Sequence, residues 1–247
     1  MNSVLLFGMN LYLYSLFFLV SAVVIPALTL FVTVASFFLT HRKTMKRFRR
    51  AINWYGRVMM LFAYPFIKVH YEDLGGSDAS KPSVIVANHR SASDAFLLCF
   101  LREEFVQVVN VWPFRLPVLG IYAKLSGYLN VKKMSPESFL SKALQLLRDG
   151  ISIAFFPEGT RSASRKMGNF HGTAFRLAME ARVPVAPLCI SGNENIPPKG
   201  SLLLRPGTIR IRRLAAIPWE EYRDLTAFAF KNRVREIIGN ELSRSEE

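Results

Sequence analysis

The first forty residues of this chain carry no lysine, arginine, aspartate or glutamate. Met1 to Ile25 alone exceeds the about 20 apolar residues that cross a hydrocarbon core. A cleaved signal peptide is disfavoured, because no basic residue precedes the apolar run. Cysteine is scarce too: Cys99 and Cys189 are the only two, and both sit in apolar runs. They are expected as buried thiols in a reducing compartment, not as a disulfide. No Cys/His cluster has metal-ligand spacing, so no metal is expected. There is no internal repeat, low-complexity tract or Gly/Ser-rich linker. Nor is there a Gly-x-Ser-x-Gly elbow, which removes the usual serine nucleophile of an α/β hydrolase. Acidic residues are outnumbered: 18 Asp and Glu stand against 32 Lys and Arg, a net charge of +14 in 247 residues. Such a balance points to an anionic partner, whether lipid, nucleic acid or an acidic protein.

What is present begins with that uncharged run. Pro26 is expected to break or kink the first helix. Ala27 to Leu39 is short for a second span. Two arrangements stay open: one tilted spanning helix, or a helix-break-helix hairpin within one leaflet. Six fixed positive charges then fall between His41 and Arg50. Met45, Phe48, Ile52, Tyr55 and Met59 recur at helical spacing beside them, the pattern of a basic helix lying in a membrane interface. Membrane is therefore the expected partner of the charge, and nucleic acid is not. By the positive-inside rule this flank is cytoplasmic. The boundary of the anchoring segment is placed at 66, with a second domain over 67–247.

Ile67 to Tyr71 alternates as a strand. Ser83 to Ala87 is β-branched and apolar and predicts a buried strand. The chain turns polar at Asn88 and His89, and Ser93 can cap a helix from Asp94 to Phe100. A histidine thus ends a strand while an aspartate occupies the first turn of the next helix. Open α/β sheets place ligands at such points. Asp94 can hold His89 in one tautomer and stabilise the imidazolium. With no serine elbow, the expected nucleophile is the substrate's own hydroxyl. A plain capping role for Asp94 beside a loop histidine is the competing interpretation. Trp112 to Gly120 is apolar and proline-punctuated, equally fit to line an acyl groove or simply to pack. Gly127 to Lys133 is expected as a short strand ending in Lys132 and Lys133. Pro136 to Arg148 is expected as a helix capped by Ser135. Ile151 to Phe156 is a second buried strand. It runs into Pro157-Glu158-Gly159-Thr160-Arg161-Ser162, where Gly159 admits a close ligand, Thr160 brings a hydroxyl and Arg161 a fork suited to phosphate. Phe170 to Ala181 is expected as helix. Val183 to Ile190 is expected as an edge or bent strand because of its prolines. Leu202–Leu204 and Thr208–Arg212 are expected as a hairpin. The tail from Glu220 is expected as a surface helix fraying after Gly239.

Four ordered blocks make the chain resemble the glycerolipid acyltransferases, above all the 1-acyl-sn-glycerol-3-phosphate acyltransferase group. Asn88-His89 with Asp94 matches its Asn-His-x-x-x-x-Asp block. Phe156 to Ser162 matches its Phe-Pro-Glu-Gly-Thr-Arg-Ser block in full. Val183 to Pro187 resembles its proline-containing last block. Gly127 to Lys133 is the second block, with lysines where the family usually has arginine, and His171 stands where a lysine is common.

The resemblance implies an α/β domain, a mixed sheet flanked by helices, on an N-terminal membrane-embedded helical segment. It implies acyl transfer from a thioester, on coenzyme A or acyl carrier protein, to the free hydroxyl of a lysophosphatidate. The product would be phosphatidic acid. His89 would be the general base and Asp94 its orienting partner. Glu158, Gly159, Thr160 and Arg161 would hold the glycerol phosphate, assisted by Lys132 or Lys133, and Glu158 could also brace its own loop. No cofactor beyond the acyl donor is implied. The expected partners are membrane lipids and the two substrates, and the expected place is the cytoplasmic face of the cell membrane. The lysines keep another acceptor open, such as a lyso-ornithine lipid. An inactive lipid-binding protein of the same fold is the alternative of another class.

Overall fold

The computed structural model describes residues 2–75, 81–109, 120, 123, 125–162 and 166–246. Most of Trp112–Gly120, together with Gly76, Ser77 and Arg165, lies outside the described residues. Two helices come first, α1 over Ser3–Phe38 and α2 over His41–Phe62. Seven strands follow: β1 Ile67–Asp73, β2 Val84–Ala87, β3 Phe105–Val109, β4 Leu129–Asn130, β5 Ser152–Phe155, β6 Val185–Ser191 and β7 Gly207–Arg213. The helices among them are α3 Asp94–Leu97, α4 Pro136–Arg148, α5 Thr173–Ala181 and α6 Ala227–Glu246.

The strands form one sheet in the order β1-β7-β6-β2-β5-β3-β4. Every adjacent pair is parallel except β6 and β7. Residues of alternate parity face opposite sides of a strand. Val84, Val86, Ile153 and Phe155 accordingly pack with α4, α5 and α6. Ile85, Ala87 and Ala154 pack the other way, against Leu97, Leu98 and the first part of α1. The mixed sheet flanked by helices is therefore observed.

Pro26 does not end α1, which spans 36 residues in all and runs on to Phe38. Neighbouring Val24, Ile25 and Leu28 lie against the Phe48, Tyr55 and Met59 stripe of α2, and this packing carries the helix past the missing hydrogen bond. The reversal comes instead at Leu39–Thr40. The apolar stripe of α2 is thus buried on α1 and does not face lipid. What stays open is the outer side of α1, where Phe7, Leu19, Val23, Phe37 and Phe38 are each more than half exposed. α1 is the one helix among the described residues long and apolar enough to cross a membrane.

Both stretches of the hairpin are tied to the α/β domain. Asn10 donates from Nδ2 to Leu204 O and accepts at Oδ1 from Leu204 N, at 2.9 and 2.8 Å, and Tyr14 donates to Leu202 O. Near the other end, Arg42 grips Glu104 with both terminal nitrogens at 2.7 and 2.8 Å, and Arg49 adds a third contact at 2.7 Å.

Other expectations change. Leu202–Leu204 forms no hairpin with β7, because its backbone serves Asn10 and Tyr14. β6 is an interior strand, not an edge. Pro184 precedes it, and Pro187 falls just before the pairing with β7 starts at Leu188, its carbonyl accepting from Leu214. α6 runs past Gly239 and buries Phe230, Val234, Ile238 and Leu242, so it is a core helix with one exposed side. The helix expected from Asp94 to Phe100 is one α-turn followed by a 3-10 turn over Leu98–Phe100. Cys99 and Cys189 are buried free thiols, and burial pushes the Cys99 thiol up to about 12.

Candidate active site

β2 and β5 are parallel neighbours, so the loops after Ala87 and Phe155 leave the same edge of the sheet. Asn88 fastens the first loop. Its side chain donates to Ile190 O and accepts from Ile190 N, both at 2.8 Å, and so prolongs the pairing with β6 by one amide. His89 follows with its ring stacked on Phe156 at 4.5 Å between centroids. His89 Nδ1 lies 2.7 Å from Oδ2 of Asp94. The same carboxylate oxygen accepts from the backbone N–H groups of Arg90 and Ser91 at 2.8 and 2.9 Å. Oδ1 accepts from Nδ2 of Asn193. Asp94 is fully buried and acceptor-satisfied on both oxygens, as an ionised carboxylate requires. Such a carboxylate fixes the proton of a neutral His89 on Nδ1 and leaves Nε2 as the basic nitrogen.

The second loop is laced to the first through Glu158. Its Oε1 accepts from His89 N at 2.7 Å, while Oε2 accepts from Ser162 Oγ and from Gly168 N, the latter at 2.8 Å. Ser162 N returns a bond to His89 O at 2.8 Å. Gly159 has φ of +68°, and a Cβ there would lie 3.0 Å from the His171 ring. A left-handed turn that tight needs glycine.

These loops border a cavity of about 980 Å³ lined by His89, Gly159, Thr160 and Arg161. Lys132 also lines it, and Lys133 does not. Glu158 is brought to the site, but its carboxylate is spent on the loops and lies outside the lining. Ser93 stands at the helix start, yet its hydroxyl bonds to Ser91 and caps nothing. Three groups on the site are absent from the sequence-based assignment. Asn193 lies beyond β6, with no motif to mark it. Arg176 and Lys199 add two cations to the cavity wall, from the α5 helix and from the loop before β7. The wall also holds apolar Phe139, Leu140 and Leu177. A base at one end, cations around it and apolar surface beside them suit proton abstraction from the hydroxyl of an amphiphilic, anionic substrate.

Residues 67–191, half of the chain, match the family model described as Acyltransferase. The chain belongs to the acyltransferase family. Among its relatives, a chloroplastic 1-acyl-sn-glycerol-3-phosphate acyltransferase of Arabidopsis thaliana is 35% identical over 153 residues, which cover 60% of this chain and 43% of that protein. A 1-acyl-sn-glycerol-3-phosphate acyltransferase of Chlamydomonas reinhardtii is 35% identical over 186 residues, 72% of this chain and 55% of that one. The chain thus spans about half the length of the curated relatives it matches. The crystal structure of the 1-acyl-sn-glycerophosphate acyltransferase PlsC from Thermotoga maritima aligns with a TM-score of 0.81 at 22% identity, over 100% of this chain and 98% of that one. At that identity the likeness shows that this chain shares the PlsC fold.

Proposed function

We propose that the protein transfers an acyl group from a thioester, carried by coenzyme A or acyl carrier protein, to the free hydroxyl of 1-acylglycerol-3-phosphate. The carrying observation is the His89–Asp94 pair at the end of β2, facing a cavity rimmed by Arg161, Lys132, Arg176 and Lys199. The names of the relatives support this acceptor, and the cations provide for its phosphate. Arg161 offers a two-pronged contact and Lys132 a point charge. Gly159 and Thr160 bring backbone and hydroxyl near the same group. Glu158 holds the two loops in register.

The step balances without an acyl-enzyme. His89 Nε2 takes the acceptor's hydroxyl proton as its oxygen attacks the thioester carbonyl. The tetrahedral intermediate collapses, the C–S bond breaks, and the imidazolium returns the proton to the departing thiolate. Asp94 stabilises the imidazolium throughout. No metal or further cofactor enters this balance. A positioned base contributes about 10²–10⁴-fold. His89→Ala with lysophosphatidate and acyl donor is therefore expected to lose turnover on that scale, read as phosphatidic acid formed. Donor alone is expected to leave no labelled acyl group on the protein. A stable adduct overturns direct transfer. A panel of acceptors with one labelled donor tests lysophosphatidate against lyso-ornithine lipid, and paired donors separate coenzyme A from the carrier protein.

The hairpin also supports a placement. A helix of 36 residues is about 54 Å long, against a hydrocarbon core of about 30 Å. Its early turns touch Leu202 and Leu204, and Arg42 just past its end grips Glu104 of the same domain. A spanning helix would carry those two attachments to opposite sides of the bilayer. We therefore place α1 in one leaflet, and the basic residues of α2 put that leaflet on the cytoplasmic side.

A further inference from the structure

A second crevice, of about 520 Å³, opens at the other edge of the sheet. Val108 and Val109, which close β3, line the catalytic cavity, whereas Arg102 to Glu104, which precede β3, line the crevice. The length of a five-residue strand, about 17 Å, separates them. One wall is α2, with Lys46, Arg49, Arg50, Trp54 and Arg57. Its two acids are already engaged: Glu104 by Arg42 and Arg49, Glu103 by Arg213. Arg57 is steered by the carbonyls of Cys99 and Leu101. Among the described residues, no carboxylate ion pair holds Lys46, Arg50, Arg57 or Arg102. Four cations therefore border one concave space whose two carboxylates already pair with other arginines, among the described residues. Trp54 belongs to the lining with 63% of its surface exposed. An indole that is apolar on its faces and polar at its N–H suits the level where hydrocarbon meets headgroups. The turn of the hairpin, adjoining the same helix, exposes Phe37 and Phe38.

We propose that this crevice binds the phosphate headgroup of an anionic phospholipid of the surrounding leaflet, apart from the catalytic cavity. The inference rests on the membrane placement above. Charge complementarity selects an anion. The exposed tryptophan and the adjacent apolar helices select one attached to lipid. A carrier protein is disfavoured, since it must deliver its thioester to His89 at the far edge of the sheet.

The test uses the full chain in micelles of a neutral, uncharged detergent, titrated with phosphatidylglycerol bearing a fluorescent tail. Saturable binding is expected, and phosphatidylcholine should not compete. Arg50→Gln/Arg102→Gln should weaken it about thirtyfold, the scale of two headgroup contacts. Lys43→Gln/Arg47→Gln removes the same charge from α2 outside the crevice and should change affinity less than about twofold. Arg50→Lys/Arg102→Lys keeps both charges and should recover most of the binding. An unchanged thermal midpoint in all three variants separates site loss from unfolding. Equal weakening by the two glutamine pairs overturns the site in favour of a diffuse surface field. Competition by inorganic phosphate as strong as by phosphatidylglycerol overturns the lipid assignment in favour of a free anion. A rise in KM for an acyl carrier donor, with lipid binding intact, overturns it in favour of protein docking. Because the readout is binding, a failure of the proposed acyl transfer would leave this result standing.

Discussion

Asp94 receives Arg90 N, Ser91 N, Asn193 Nδ2 and the His89 ring, and its own surface is fully buried. The orientation of Asn193 follows from that carboxylate. Its Nδ2 faces Asp94, while its Oδ1 is buried with no partner among the described residues. A flipped amide would turn one acceptor on another, which costs more than the orphaned oxygen. Asn193→Ala removes a hydrogen bond to a buried charge, worth about 1.5–3 kcal/mol. We expect kcat to fall by about tenfold or more with KM for the acceptor nearly unchanged, since the asparagine acts on the histidine through Asp94. Steady-state kinetics on the purified variant check this split. Asn193 was invisible to sequence reasoning for a plain reason. It stands alone past a strand, and its partner lies 99 positions away. His89 and Asp94 were legible because a local pattern carries both: a β-branched run, a polar break and a helix start.

At the scale of elements, the anchoring hairpin meets the domain at two kinds of joint. One is steric. A Cβ on Gly56 would come within 2.8 Å of Cys99 Cβ, closer than side chains approach. Gly56→Ala should cost about 1–3 kcal/mol in overpacking, against a helix-propensity gain of about 1 kcal/mol, and a lowered thermal midpoint checks this. The other joint is electrostatic. Burial alone would raise the Glu104 carboxyl, but hydrogen bonds from Arg42 and Arg49 outweigh it and hold the group below its ordinary 4.5. A carboxyl depressed in the folded state stabilises above its unfolded value, and that contribution is lost as pH falls through the lowered value. The midpoint difference between the native protein and Glu104→Gln should therefore be full at neutral pH and shrink below pH 4.5. Thermal melts of both across that range decide it. Helix α4 has the expected bounds because Ser135 accepts from Ser138 N and Gly150 stops the chain in a left-handed turn. The prolines of β6 point to an edge or a bend, and the strand lies inside the sheet, because proline marks a missing donor but does not say which neighbour would have needed it. α6 was misjudged because its buried positions answer to a tertiary face and not to its own modest amphipathicity.

For the whole molecule, the decisive arrangement is that the hairpin packs directly on the domain that carries both the catalytic cavity and the crevice. An impermeant thiol reagent can test its placement. Single cysteines at Asn2 and Thr40, in a Cys99→Ala/Cys189→Ala background that melts as the native chain does, bracket α1. Both should react from the same side of sealed vesicles. Reaction from opposite sides would make α1 a true span. The composition had already announced lipid through an uncharged run followed by six cations. It did not reveal that the stripe of α2 would be spent on α1, because an apolar face reads alike whether its partner is hydrocarbon or another helix.

That hairpin has one more implication. Met9 and Leu13 belong to the same apolar cluster as Ile85, Leu188 and Ile190 of the sheet. The long apolar segment that we place in the bilayer is therefore also the lid on half of the domain's interior. Trimming it away would not release a water-soluble catalyst from its tether. It would strip a wall from the building, and the exposed flank would drive copies of the remainder to clump.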